Sequence, residues 1–120
     1  MTRSLVVKIT CGAEAAERAN QGWTVASMGL AAGVDVAVWL TGEAVWFAAV
    51  GRQPDLALPF ATPVSELIDV VQAGGSIVVC SQCAVRRELT ETDLLPGTQV
   101  RGAAQFVEAV LTDGVQALIY

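Results

Sequence analysis

The sequence contains no histidine, and it has seven basic residues against twelve acidic ones. The absence of histidine excludes cysteine–histidine dyads, serine–histidine–aspartate triads and every metal site that contains histidine. The net charge is −5, and no lysine or arginine cluster is longer than the Arg86–Arg87 pair. We therefore expect no nucleic-acid partner, because phosphate contacts need a basic face.

The sequence also lacks a long apolar run, although 53% of its residues are apolar. No stretch approaches the roughly twenty apolar residues that span a bilayer. The first ten residues form an apolar stretch that Lys8 interrupts, and no small-residue cleavage pattern follows, so they do not indicate a signal peptide. We expect no membrane partner and a cytoplasmic location.

Cysteine is sparse and odd in number, with Cys11, Cys80 and Cys83. An odd count in such a chain argues against a disulfide framework and favours thiol chemistry or core packing. Only Cys11 could join the other two in a zinc site, which needs three or four good ligands, so we expect no metal. The turn at Cys11 and Gly12 lacks G-x-G-x-x-G spacing, so we expect no dinucleotide or other cofactor.

The length of 120 residues fits one domain, residues 1–120. Apolar β-rich runs predict strands, in order, at 5–10, 34–40, 76–79, 98–100 and 115–120. Helices are predicted at 13–32, with Gly33 as the C-cap glycine, at 62–73, directly after Ser81, and at 102–111. Alternating strands and helices predict a three-layer α/β/α sandwich with flavodoxin-like layering and a mostly parallel sheet of about five strands.

The stretch SIVVCSQCAVRRE, residues 76–88, is the first candidate for chemistry. A buried strand would end at Cys80, and Ser81 is a plausible N-cap for the helix that follows. A helix N-terminus carries about half a positive charge, which favours a thiolate at Cys80. The C-x-x-C spacing to Cys83 also fits a thioredoxin-like redox pair or an inert structural pair.

Other residues fall at the same predicted edge, because sites in parallel sheets lie at the carboxyl ends of the strands. Cys11, Gly12 and Gly42 follow the first two strands, and we expect Cys11 to be a packed thiol. Arg86 and Arg87 lie three and four residues beyond Cys83 on a helix, where they could support a thiolate. Alternatively, they form salt bridges with Glu88, Glu91 or Asp93.

The segment EAVWFAAVG, residues 43–51, places Trp46 and Phe47 just past a strand end. It is interpreted either as a lid packed on the core or as a subunit interface or pocket wall, since aromatic residues are enriched at interfaces. With the apolar excess of a short chain, it raises the hypothesis of a homo-oligomer.

The pattern VVCSQCAVRRE, followed by DLLPGTQVRGAAQFVEAVLTDGVQALIY, resembles the carboxyl half of the DsrE/DsrF-like proteins, which include the TusD-type sulfur-relay subunits. The amino half fits the same order of elements. The resemblance implies a small α/β/α subunit that assembles into trimers or hexamers and carries sulfur as a cysteine persulfide. Cys80 matches the persulfide cysteine, Cys83 a second cysteine of some members, and Glu88 stands where the family often has glycine.

Our leading hypothesis is a sulfur carrier in which Cys80 takes a sulfane sulfur from a donor and passes it to an acceptor thiol, with Cys83 able to resolve the persulfide as a disulfide. Arg86 would support the thiolate. Two alternatives stay open: a non-catalytic oligomeric module that binds a small ligand in the strand-end crevice, and an oxidoreductase that cycles the Cys80–Cys83 dithiol.

Overall fold

The structure, a computed structural model, describes residues 3–120. Met1 and Thr2, the first two residues of the predicted domain, lie outside the described residues. Five strands form one sheet in the order β4-β3-β2-β1-β5, and every neighbouring pair is parallel. The strands are β1 Ser4–Ile9, β2 Asp35–Leu40, β3 Ser76–Cys80, β4 Gln99–Arg101 and β5 Val115–Ile119. This confirms the predicted α/β fold with a parallel sheet.

Within residues 3–120, four α-helices lie in the connections between these strands. They are α1 Ala16–Ala31, α2 Val64–Gly74, α3 Ser81–Arg86 and α4 Ala103–Leu111. Short 3₁₀ helices cover Ala13–Ala15, Gly42–Ala48 and Glu91–Asp93. In the part of the chain that the structure describes, no helix is long and apolar enough to cross a membrane.

The predicted helix boundaries shift at several ends. The first turn of the predicted 13–32 helix is a 3₁₀ helix, and Gly33 follows the C-cap with a φ of +86°, as a C′ glycine does. The predicted N-cap of α2, Thr62, lies one residue too early in the sequence. Pro63 is extended and occupies the N-cap, so the helix begins at Val64.

The two faces of the sheet are covered unequally. Helices α1 and α2 pack on one face, where Trp23, Ile68 and Val71 are almost fully buried with strand residues such as Val38 and Val79. The opposite face buries a smaller cluster of Val6, Trp39 and Val78, against which only α4 packs. One face is therefore a closed core, and the other has a single helix over it.

The aromatic segment after β2 packs on the closed core. Phe47 is completely buried and makes an edge-to-face contact with Trp23, with ring centroids 5.7 Å apart. Trp46 is partly exposed, and the Arg52 guanidinium lies over its ring at 4.4 Å. Of the two interpretations of this segment, the packing favours a lid that closes the core.

Candidate functional site

Cys80 lies at the point where β3 passes directly into α3. Its backbone pairs with Arg101 of β4, and its φ of −61° and ψ of 123° place it at the N-cap of α3. The predicted cap at Ser81 is therefore wrong, because the strand continues one residue further and Ser81 becomes the first helical residue. The Cys80 thiol is partly exposed, as a reactive thiol has to be.

Cys83 lies one helical turn later and faces the closed core. It is 8% exposed, and its Sγ accepts a hydrogen bond from the backbone N–H of Gly42 at 3.2 Å. Gly42 has a φ of +56°, and a Cβ there would lie 2.9 Å from the Thr10 carbonyl oxygen. Glycine is thus required for the turn that points this N–H at the sulfur.

The two neighbouring thiols have opposite pKa shifts. Burial raises the pKa of Cys80 above its ordinary value, and the neighbouring Cys83 thiol raises it further. The backbone N–H groups of Gln82 and Cys83 face the Cys80 sulfur and act against this rise, but neither makes a capping hydrogen bond. Sequence reasoning placed the favoured thiolate on Cys80, whereas in the structure the lowered pKa belongs to Cys83.

Cys83 has the lowered pKa. Burial alone would raise it, but the Gly42 N–H, the Cys80 thiol, and the charges of Arg87 and Arg86 together bring the pKa below its ordinary value. The two thiols therefore titrate as one pair, in which Cys83 has the lowered pKa and Cys80 the raised pKa.

The two arginines make contacts other than the predicted salt bridges. Arg87 donates from Nε to Glu43 Oε2 at 2.8 Å and from Nη1 to the Cys83 carbonyl oxygen at 3.1 Å. Arg86 donates to the amide oxygen of Gln82 at 3.4 Å. Both charges favour a Cys83 thiolate, and the fixed ion pair makes Arg87 the better-placed support. Sequence reasoning chose Arg86 for this role.

The end of β1 lies apart from the thiol pair. Cys11 is 5% exposed, its thiol donates to the Ala15 carbonyl at 3.8 Å, and burial followed by the Glu14 charge raises its pKa. The Gly12 N–H donates to the Glu14 carboxylate at 2.8 Å. The packing agrees with the expected role of Cys11 as a packed thiol. Within residues 3–120, no three cysteine, aspartate or glutamate side chains cluster as a metal site.

Cys80 opens into a cavity on the α4 side of the sheet. The cavity has a volume of about 310 Å³ and is lined by Lys8, Trp39, Thr41, Cys80, Arg101, Gly102, Ala103, Phe106 and Val107. Trp39 and Phe106 form its aromatic wall in an edge-to-face contact with centroids 5.2 Å apart. The Lys8 ammonium lies 4.6 Å from the centre of the Phe106 ring. The partly exposed thiol thus faces a half-open, partly apolar cavity.

Sequence reasoning missed four residues of this cavity: Lys8, Trp39, Arg101 and Phe106. The available signal for Lys8 was a charged residue in an otherwise apolar strand. For the other three, the order of the strands is needed, because β4 pairs with β3 and α4 packs over the middle of the sheet.

The end of α3 contains an unusual backbone conformation. Glu88 has a φ of +57°, while its N–H bonds to the Val85 carbonyl and the N–H of Leu89 bonds to the Ala84 carbonyl. These two bonds form a Schellman motif, whose left-handed residue is usually glycine. The helix therefore ends in a glycine-type turn although a glutamate is present.

Comparison with known proteins agrees with this architecture. The crystal structure of the YchN protein from E. coli superposes with a TM-score of 0.78 at 14% identity, over 100% of both chains. A protein of unknown function from Methanobacterium thermoautotrophicum, MTH1491, gives 0.68 at 13%, also over 100% of both chains. At these identities the likeness shows the fold alone.

Sequence comparison identifies the family. No curated protein sequence matches the chain. The profile of the DsrE/DsrF-like family matches residues 4–116, which is nearly the whole chain. This protein therefore belongs to the DsrE/DsrF-like family.

Proposed function

We propose that the protein is a cytoplasmic sulfur-carrier subunit that holds a sulfane sulfur as a persulfide on Cys80. The observation that carries the proposal is that the two neighbouring thiols differ in exposure and in pKa. Cys80 is partly exposed and faces the cavity, whereas the buried Cys83 has the lowered pKa. Membership of a family generally related to sulfur relay supports the same chemistry.

In this proposal Cys83 serves as the base for Cys80. The chain has no histidine, and the neighbouring Cys83 has a lowered pKa, to which its interaction with the Cys80 thiol contributes. As Cys80 attacks the sulfane sulfur of a donor, its proton passes to Cys83 and a new sulfur–sulfur bond forms on Cys80. The donor's own bond to that sulfur breaks, and its former partner leaves with the electron pair.

Delivery reverses the transfer. An acceptor thiolate attacks the outer sulfur of the persulfide, the bond to Cys80 breaks, and Cys80 leaves as a thiolate. Alternatively, Cys83 attacks the inner sulfur, forms the Cys80–Cys83 disulfide and releases hydrosulfide. The acceptor must reach the open side of the cavity, because Cys83 is buried on the other side.

Intact-protein mass spectrometry after incubation with a sulfane-sulfur donor tests the proposal. We expect a gain of one sulfur atom, removable by a thiol reductant, in the wild type, in Cys83→Ser at a lower rate, and in the control Cys11→Ser. Cys80→Ser should not gain it. A gain that persists in Cys80→Ser and vanishes in Cys83→Ser would place the sulfur on the wrong cysteine and overturn the assignment.

A dithiol oxidoreductase is the second candidate, and the placement of two free thiols, Cys80 and Cys83, within the first turn of α3 favours it. It predicts an intramolecular disulfide that forms with an oxidant and turns over with a reductant. Quantitative thiol counting during turnover separates the two: a carrier cycles through a persulfide with both thiols otherwise reduced, whereas the oxidoreductase loses two thiols per cycle.

We also propose that the subunit forms a homo-oligomer, a trimer or hexamer as in the family. Val107 and Leu111 on α4 are 50% and 75% exposed, and Ile119 on the unpaired edge strand β5 is 63% exposed on the same face. Val107 also lines the cavity that contains Cys80. Sedimentation at micromolar concentration checks the proposal, and the mass of a monomer would contradict it.

A further inference from the structure

The cavity beside Cys80 concentrates positive charge in an acidic protein. Lys8 and Arg101 both line it, and no aspartate or glutamate does, although the chain has a net charge of −5. Among residues 3–120, the one ion pair joins Arg87 and Glu43, on the other side of α3. Within the described residues, neither cation of the cavity is in an ion pair, although Glu108 lines the adjoining surface beside Arg101, and two such cations in one cavity are a setting that binds anions.

The rest of the lining is apolar. Trp39 and Phe106 form the aromatic wall, and Val107 and Ala103 of α4 complete it. A volume of about 310 Å³ lies at the small end of the range for ligand cavities. An inorganic anion would leave most of this wall exposed to water, whereas an anion with an aryl or alkyl body would bury it.

The order and register of the strands determine where the two cations lie relative to Cys80. Arg101 is the register partner of Cys80 on the neighbouring strand, and its Nε contacts only the neutral amide of Gln99, at 3.3 Å. Lys8 lies two strands away from Cys80, over the ring of Phe106. If an anion bound with its charged group between Lys8 and Arg101, the atoms next to that group would lie near the Cys80 sulfur. The rest of the anion would lie against the aromatic wall.

We propose that this cavity binds a small organic anion with an apolar body, and that the anion which delivers sulfur to Cys80 is of the thiosulfonate class, in which the sulfane sulfur adjoins the charged group. The second half of this inference rests on the proposed function. The Cys80 thiolate attacks the sulfane sulfur, a bond forms between the two sulfurs, and the sulfur–sulfur bond of the donor breaks. A sulfinate leaves with the electron pair, so each side of the reaction has two negative charges and no other oxidant is needed.

Binding of benzenesulfinate, the leaving group of benzenethiosulfonate, tests the cavity independently of sulfur transfer. Isothermal titration calorimetry of the full chain should show saturable binding. Lys8→Met and Arg101→Gln should each weaken it about tenfold, which corresponds to about 1.4 kcal/mol for each charge-assisted hydrogen bond that is lost. Phe106→Ala should weaken it as well. Arg101 is exposed, so its variant tests the proposal even if Lys8→Met fails to fold.

Arg52→Gln is the matched control, because Arg52 also lies over an aromatic ring, that of Trp46, but does not line this cavity. It should bind benzenesulfinate as the wild type does. Absence of saturable binding, or equal weakening by Arg52→Gln and Arg101→Gln, would overturn the proposal.

Sulfur transfer is then measured with benzenethiosulfonate and with inorganic thiosulfate, which lacks the apolar body. We expect the organic donor to load Cys80 at lower concentration, with this advantage lost in Phe106→Ala. Equal loading by both donors without sulfinate binding would overturn the cavity proposal and leave the carrier function standing. Sulfinate binding without any sulfur gain on Cys80 would support the cavity and overturn the carrier function.

Discussion

Each face of the sheet contains one tryptophan–phenylalanine pair, and the two pairs differ in how far they are exposed to water. On the α1 and α2 side, Trp23 and Phe47 meet edge to face and are completely buried. On the α4 side, Trp39 and Phe106 meet in the same way at 5.2 Å, but Phe106 is partly exposed and lines a cavity. The same contact thus serves as core on one side and as the wall of a cavity on the other.

The difference follows from the number of helices on each face. Five strands span about 19 Å, since neighbouring strands lie roughly 4.8 Å apart. Two helices of about 10 Å diameter cover that width, whereas α4 alone covers half of it. The cavity lies beside this single helix, where Lys8 contacts the Phe106 ring of α4 and Cys80 lies at the end of β3. Unequal coverage therefore leaves room for the cavity.

The largest loss of stability is expected from a substitution on the closed face, the side of the sheet that α1 and α2 cover. Phe47→Ala should lower the free energy of unfolding by about 3–5 kcal/mol, because it empties a fully buried aromatic site in a core that cannot collapse around it. Urea denaturation measures this change. A loss below about 1 kcal/mol would show that the closed face is not the main core.

Gly42→Ala should lower the free energy of unfolding by less, about 2–3 kcal/mol. The substitution strains a residue in the left-handed region and places a Cβ 2.9 Å from the Thr10 carbonyl oxygen. Its N–H would also move away from Cys83, so the Cys83 pKa should rise. Gly51→Ala is the matched control: its φ is +74° but nothing lies within 4 Å of the added Cβ. Equal losses of unfolding free energy in the two variants would rule out the steric contact.

On the open face, Phe106→Ala should lower the free energy of unfolding by only about 1–2 kcal/mol, because the ring is already partly in contact with water. The comparison between the faces fails if this loss equals that of Phe47→Ala under the same denaturation conditions.

The smallest change in stability is expected from a substitution at the end of α3. Glu88→Gly should raise the free energy of unfolding by up to about 1 kcal/mol, because glycine removes the strain of a φ of +57° and offsets part of this gain with unfolded-chain entropy. Glu88→Ala, which keeps a Cβ, should not stabilise the protein. Stabilisation by both variants would point to the lost charge instead of the backbone.

The fold could be predicted well because it rests on local patterns. Apolar β-rich runs that alternate with Ala-rich segments fix five parallel strands, and the run 76–79 places Cys80 at a strand end. The site was predicted only in part, because its properties depend on contacts distant in the sequence. The N–H that lowers the Cys83 pKa comes from Gly42, 41 residues earlier, and the cavity brings Lys8 together with Phe106.

The central claim is that Cys83 holds the negative charge while Cys80 meets the substrate. Its most direct test is the rate of alkylation of each cysteine in the intact protein as a function of pH, read by peptide mass spectrometry in the wild type and in Cys83→Ser. We predict that Cys80 is alkylated faster than Cys83, because it is the more exposed thiol. Its rate should begin to rise below the ordinary thiol pKa in the wild type, because the Cys83 thiolate accepts its proton, and should shift to higher pH in Cys83→Ser. Faster alkylation of Cys83, or the same Cys80 profile in both proteins, would contradict the account.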